Sequence, residues 1–250
     1  MKQIAIAGKG GVGKTTFTAL MLRYLMKNRP GKTLLAVDAD PNANLNEALG
    51  MEAEKTISNI LEGTKDPKAV PSGMTKEMYM EYKLQDALVE TKEIDLLVMG
   101  NPQKAGCYCY PNDLLRKHLE KMRSSYDYVA VDNEAGLEHL SRRIISQVDV
   151  LIIVSDSAVR SIRSAARVYE IVQAVKLDIK AAYLVVTKVM GDEIAQLHEE
   201  IAKTGLELLG TIPLDPLVAE FDLKGKALVD LPDNAPAVIA VSQIIDKLNL

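Results

Sequence analysis

The run Gly8-Lys9-Gly10-Gly11-Val12-Gly13-Lys14-Thr15-Thr16 constrains the fold of this chain more than any other feature. It fits the pattern G-x-x-x-x-G-K-[ST], and its flanks match what that pattern needs. Gln3-Ile4-Ala5-Ile6-Ala7 is a short apolar run suited to a buried strand. Residues 15–28 carry Phe17, Leu20, Met21, Tyr24 and Leu25 at helical spacing. A strand, a glycine-rich turn and a helix in this order form a phosphate-binding loop. The glycines let consecutive N–H groups turn inward on an anion, and the helix N-terminus adds positive potential. Lys14 reaches the β/γ-phosphates, and the Thr15 hydroxyl serves as a Mg²⁺ ligand. Lys9 is less expected, because a second cation beside Lys14 is repelled unless negative charge is bound.

The rest of the chain supplies the sheet that such a loop requires. Residues 33–37 are a second buried strand, ending in Asp38-Ala39-Asp40-Pro41. Residues 94–99 give a third strand, and Tyr128-Val129-Ala130-Val131-Asp132 a fourth with an aspartate at its exit. Further strands are expected at 150–154, 182–186 and 209–212, with helices near 160–175 and 193–203 between them. Strands alternating with helices imply an α/β fold, a doubly wound, mostly parallel sheet of about seven to eight strands of the P-loop NTPase type. No linker-like break in Pro, Gly or Ser interrupts the pattern, so residues 1–250 read as a single domain.

Ligands of open α/β sheets bind at the carboxyl ends of the strands, which brings Asp38, Asp40 and Asp132 toward the phosphates. Asp38 and Asp132 are expected to hold Mg²⁺ through water. The Gly136 amide, free of a side chain, is expected to approach the γ-phosphate. The stretch 50–92 reads as peripheral helices, with Met74, Met78 and Met80 as core filling rather than soft-metal ligands. Pro111 is expected to close a loop before a helix over about 113–123, and His118 and His139 to be surface or capping residues. The apolar spacing of 238–248 predicts a helix packed on the core.

Composition excludes several classes. Of 250 residues, 48% are hydrophobic and 26% charged, which is ordinary for a globular protein with a core. A net charge of -4 gives no general attraction to nucleic acid or to an anionic membrane, and neither partner is expected. Arg142-Arg143 and the series Arg160, Arg163, Arg167 read as solvated helix faces. No stretch approaches the ~20 apolar residues of a membrane span, and the N-terminus runs directly into a strand, so a cytoplasmic protein is expected.

The two cysteines both fall in Cys107-Tyr108-Cys109. Such a pair can hold one metal ion, yet a closed tetrahedral thiolate site takes four ligands. Ligand counting therefore points to a two-fold dimer with one metal shared between two Cys107/Cys109 pairs. Soft thiolates suit Zn²⁺, Ni²⁺ and iron–sulfur clusters alike.

Lys9-Gly10-Gly11-Val12-Gly13-Lys14-Thr15 resembles the signature of the deviant Walker A ATPases, the group containing MinD, ParA, the arsenite-pump ATPase and the nitrogenase iron protein. Together with Cys107-Tyr108-Cys109 and Asp132-Asn133-Glu134-Ala135-Gly136, it resembles the CooC type, the carbon monoxide dehydrogenase accessory ATPases, over almost the whole chain. The resemblance implies ATP and Mg²⁺ as cofactors and a homodimer in the ATP-bound state. It implies that Lys9 crosses to the partner's nucleotide and that Asp40 positions the attacking water, with Asp132 and Gly136 in a second switch. It also implies a metallochaperone binding Ni²⁺ or Zn²⁺ and serving a nickel enzyme, carbon monoxide dehydrogenase or acetyl-CoA synthase. Many members of the group read adenine with an Asn before the basic residue after the sixth strand, where this chain has Thr187-Lys188. Pro213, Leu214 and Asp215 fall where relatives cradle the base. Two other activities fit the same residues: a MinD/ParA-like positioning ATPase, and an iron–sulfur electron-transfer ATPase like the nitrogenase iron protein.

Overall fold

A computed structural model describes residues 1–63, 70–101, 109–134, 147–175, 177–248 and 250. Its centre is a seven-stranded sheet made of β1 (Lys2–Gly8), β2 (Leu34–Asp38), β3 (Asp95–Val98), β4 (Tyr128–Asp132), β5 (Gln147–Asp156), β6 (Asp178–Val189) and β7 (Glu207–Pro213), in the order β3-β2-β4-β1-β5-β6-β7. Every pairing in it is parallel. Parallel strands are covered on both faces, which is why they read in the sequence as continuous apolar runs.

Successive side chains of a strand point to opposite faces, and two separate cores result. On one face Ile4, Ile6, Leu34, Ala36 and Ile152 pack under α1 (Lys14–Asn28) and under a C-terminal helix over Pro236–Lys247. On the other, Ala5, Ala7, Leu35, Val37 and Ile153 pack against a second set of helices. In chain order the remaining helices are α2 (Leu45–Ala48), α3 (Ile57–Gly63), α4 (Lys76–Gln85), α5 (Cys109–Met122), α6 (Val159–Ala174), α7 (Glu193–Ala202) and α8 (Pro216–Leu223), so the C-terminal helix is α9. Phe17 of α1 and Val241 of α9 are fully buried. Each such side chain contributes about 1.5–3 kcal/mol through burial. No helix among the described residues is long and apolar enough to cross a membrane.

Topology places the glycine-rich loop. From β1 the chain moves past β4 to β2 and β3, returns to β4, and then crosses β1 to begin β5 to β7. The exit of β1 therefore lies where the winding reverses, which is where open α/β sheets form their ligand crevice. The close approach of β5 to β1 requires Gly8. A Cβ on it would sit 2.2 Å from the Val154 carbonyl oxygen, and its φ is +150°.

Several local expectations are corrected. Helix α5 begins at Cys109, four residues before the expected 113. Pro111 lies in its first turn, where a missing N–H costs nothing, so it belongs to the helix and not to a loop. Met80 is buried, whereas Met74 and Met78 are 40% and 53% exposed and fill no core. His118 is not on the surface: it is 8% exposed, burial lowers its pKa, and Lys121 pushes in the same direction. In α9, Val241, Ile244 and Ile245 are buried as expected, but Ile239 is exposed.

Candidate functional site

The loop between β1 and α1 opens on a cavity of about 820 Å³ at the carboxyl edge of the sheet. Gly10, Gly11, Gly13, Lys14, Thr15 and Thr16 line one wall, and Asp40, Asn42 and Asn44 from the exit of β2 line another. The third wall comes from β6, β7 and α8, through Thr187, Lys188, Pro213, Leu214, Asp215 and Asp222. The structure thus brings together around one cavity most of the residues that sequence reasoning assigned to nucleotide binding. Lys9 is exposed, and Gly8 and Val12 are buried behind the loop. Cys107 and Gly136 lie outside the described residues, as do His139 and Arg142-Arg143. Cys109 contributes its backbone to the first turn of α5.

Loop geometry suits an anion. Gly11 and Gly13 have φ of +77° and +88°, so N–H groups of successive residues converge instead of alternating. Gly13 is the N-cap of α1 in a left-handed conformation, and no side chain among the described residues caps that helix. The N–H donors of its first turn are left for a ligand. Lys14 is 7% exposed, and its Nζ donates to the Lys9 carbonyl at 3.4 Å. Burial lowers its pKa, against the raising influence of Asp132, Asp40 and Glu134.

Three aspartates sit at the exits of β2 and β4. The Thr15 hydroxyl donates to Asp132 Oδ2 at 2.6 Å, while Asp132 Oδ1 is buried without a hydrogen-bond partner among the described residues. Burial pushes the Asp132 carboxyl up to about 7, with Asp38 and Asp40 adding to the rise while Thr15 and Lys14 oppose it. Asp38 Oδ1 accepts from the Asp40 N–H at 3.0 Å and Oδ2 from the Leu45 N–H at 2.8 Å. It thus ties the strand exit to the start of α2, and burial raises it to about 6. Asp40 is less buried, and its Oδ1 accepts from the backbone and the side chain of Asn42, both at 2.9 Å. Its carboxylate is held at the rim of the cavity.

The opposite end is organised by Asp215. It is 5% exposed, and its two oxygens accept from the Leu217 N–H at 2.9 Å and the Ala237 N–H at 3.0 Å. These are first-turn donors of α8 and α9, so a single carboxylate closes two helix N-termini. Leu214 is 50% exposed at the cavity mouth. Thr187 Oγ1 donates to the Val12 carbonyl at 2.6 Å, and Lys188 Nζ donates to the Gly11 carbonyl at 2.7 Å.

Sequence reasoning missed Asn42, Asn44, Asp222 and Lys226, all of which line the cavity. The asparagines were detectable as polar residues following Asp40 in a turn. Asp222 and Lys226 lie around the end of α8, and nothing in their local sequence separates them from other surface charges. Asn133 was also missed: its Nδ2 donates to the Ile6 carbonyl at 2.9 Å and holds the exit of β4 against β1.

A reversing parallel sheet, a glycine-rich loop on its central strand and an uncapped helix beyond it define a P-loop nucleotide-binding fold of the MinD/ParA type. Residues 1–184 match the family described as AAA domain. An uncharacterized ATP-binding protein of Methanocaldococcus jannaschii is 43% identical over 249 residues, covering 98% of this chain and 97% of the relative. The carbon monoxide dehydrogenase accessory protein CooC of Rhodospirillum rubrum is 31% identical, covering 95% of each chain. The solved MinD cell division protein of Aquifex aeolicus superposes with a TM-score of 0.73 at 28% identity, covering 100% of this chain and 97% of that one. The chain belongs to the AAA domain family, and MinD/ParA-like ATPases are among its relatives.

Proposed function

We propose that this protein is a Mg²⁺-dependent ATPase that closes into a homodimer when ATP is bound. In the finer form of this reading it is a metallochaperone that handles Ni²⁺ or Zn²⁺ for a nickel enzyme such as carbon monoxide dehydrogenase or acetyl-CoA synthase. The observation that carries the nucleotide part is the uncapped N-terminus of α1 facing a cavity that Lys14, Thr15 and Asp40 also line. Similarity to CooC, at 31% identity along 95% of the chain, and the pair Cys107/Cys109 support the finer part.

In this reading the phosphates lie on the loop N–H groups and against Lys14. The residues fit Mg²⁺. Asp132 Oδ1 is buried without a partner among the described residues, beside the Thr15 hydroxyl, and a hard divalent cation takes oxygen donors of this kind. Thr15 would hold the ion, with Asp38 and Asp132 on its water shell. Mg²⁺ supplies charge neutralisation at the β/γ-phosphates. Asp40, held by Asn42, orients the attacking water. The exposed Lys9 serves the nucleotide of the second subunit, so hydrolysis is slow until the dimer closes.

If the dimer completes a four-thiolate site, linkage requires metal to tighten ATP-bound dimerisation by the factor by which dimerisation tightens metal. Anaerobic gel filtration with a non-hydrolysable ATP analogue, with and without Ni²⁺ or Zn²⁺, tests this. Metal is expected to promote the dimer, and Cys107→Ser with Cys109→Ser to abolish that effect. A metal effect that survives both substitutions sinks the chaperone reading, and an absorption spectrum of freshly purified protein distinguishes a cluster from Zn²⁺. The whole-chain similarity to MinD supports a second reading, a positioning ATPase. It predicts ATP-dependent sedimentation with liposomes or DNA that is lost at high salt.

A further inference from the structure

The end of β6 is irregular in a way that the nucleotide reading does not use. Its register against β7 shifts between Val186 and Val189, where Val186 pairs with Thr211 and Val189 with Pro213. An extra residue in one strand is a β-bulge, a device that re-aims side chains beside functional sites. Lys188 has a φ of +56°, a left-handed conformation unfavourable for any residue with a Cβ. The turn is bolted on both sides: the Ser157 hydroxyl donates to the Lys188 carbonyl at 3.3 Å, and the Leu214 N–H to the Val189 carbonyl at 3.0 Å.

The bulge aims two adjacent side chains at two adjacent carbonyls of the glycine-rich loop. Thr187 Oγ1 reaches Val12 O at 2.6 Å, with Ser155 O at 3.2 Å, and Lys188 Nζ reaches Gly11 O at 2.7 Å. A loop that points its N–H groups at an anion must point the intervening carbonyls away, because an inward carbonyl repels phosphate. Carbonyls turned outward need donors of their own. Thr187 and Lys188 supply those donors from outside the loop.

We propose that Thr187 and Lys188 are positioning residues for the phosphate loop, holding the Gly11 and Val12 carbonyls outward so that the loop is formed before a phosphate arrives. The proposal rests on the nucleotide reading and departs from the expectation that this pair reads the base. Preorganisation of this kind raises affinity for the phosphate chain itself, whatever is attached to it.

Dissociation constants for Mg²⁺·ATP and for Mg²⁺·tripolyphosphate, which has no base, separate the two roles. Thr187→Val and Lys188→Met are each expected to weaken both ligands by the same factor, roughly tenfold for one hydrogen bond. Thr187→Ser and Lys188→Arg, which keep a donor, are expected to restore both. Weaker ATP with unchanged tripolyphosphate assigns the pair to the base and overturns the proposal, as does no change in either. Lys188 is exposed, so its substitution leaves the fold intact if the buried Thr187 proves sensitive. Wild-type protein that binds neither ligand would instead overturn the nucleotide reading.

Discussion

The N-termini of α1 and of the pair α8 and α9 offer the same chemistry, unpaired N–H groups at the positive end of a helix, and the chain treats them in opposite ways. At α8 and α9 one buried carboxylate, Asp215, accepts from both helices and leaves neither of its oxygens idle. At α1 the N-cap is Gly13, which has no side chain to cap the helix, and no side chain among the described residues accepts from the first turn. The nearby buried carboxylate, Asp132, points one oxygen at Thr15 and leaves the other without a partner among the described residues. A closed helix end is a structural joint. An open one beside a carboxylate oxygen that has no partner among the described residues offers the donors and the acceptor on which the proposed phosphate and cation binding rests.

The two kinds of helix end differ most in what they contribute to stability. Asp215→Ala removes two hydrogen bonds to a buried charged acceptor and leaves two helix ends without it. Since each such bond is worth about 1.5–3 kcal/mol, a loss of about 4 kcal/mol is expected in chemical denaturation. Asp215→Asn keeps one acceptor and should lose about half of that. A change below about 1 kcal/mol in the alanine variant would show that water replaces the carboxylate, and that the joint is not closed by it.

At the open end the expectation reverses: binding falls and stability does not. Lys14 is buried with its pKa lowered, so its charge is held at a cost in the nucleotide-free protein. Lys14→Ala should leave the melting temperature unchanged or higher and weaken ATP by roughly 100-fold, about 3 kcal/mol, measured by calorimetry. Equal losses of stability and affinity would erase the distinction between the two ends.

Asp132 sharpens the contrast through pH. Its carboxyl is raised to about 7 and that of Asp38 to about 6, above the ordinary carboxylate value. Over this window the folded chain holds protons that the unfolded chain has released. The stability these groups contribute is therefore present at low pH and is lost as pH rises through about 6 and 7. Asp132→Asn removes the buried charge, so the nucleotide-free variant should be more stable than wild type at pH 8 by about 2 kcal/mol, with the difference vanishing near pH 4. Thermal denaturation across that range measures it. A variant less stable than wild type at pH 8 would mean that the charge is already balanced within the protein.

Much of this contrast is invisible in the sequence, for physical reasons. The loop, Lys14 and Thr15 were legible because their chemistry demands contiguous residues, and the strands because burial on both faces makes them uniformly apolar. The exit aspartates Asp38 and Asp132 were legible from their place at strand ends. The partners of Asp215 were not, because its second donor, Ala237, lies 22 residues away and belongs to a separate helix. Thr187 and Lys188 were noticed only as an unusual pair at a base-reading position. Their contacts with Gly11 and Val12 span more than 170 residues and depend on a bulge that no local pattern announces. The start of α5 was misplaced because proline is both a loop former and a good first-turn residue, and sequence alone does not choose between these uses.

The smallest effect comes from a third kind of helix end. Thr75 caps α4 through one hydrogen bond, accepting from the Met78 N–H at 3.1 Å, and it lies on the surface. Water competes for that donor, so a single exposed cap is worth much less than a buried carboxylate serving two helices. Thr75→Ala should lower stability by about 1 kcal/mol, and Thr75→Asp should restore it. Neither should alter ATP affinity, since α4 lies outside the cavity at the loop. If Thr75→Ala costs as much as Asp215→Ala, burial is not what makes the Asp215 joint strong, and the difference between closed and open helix ends would have to be sought in the helices themselves.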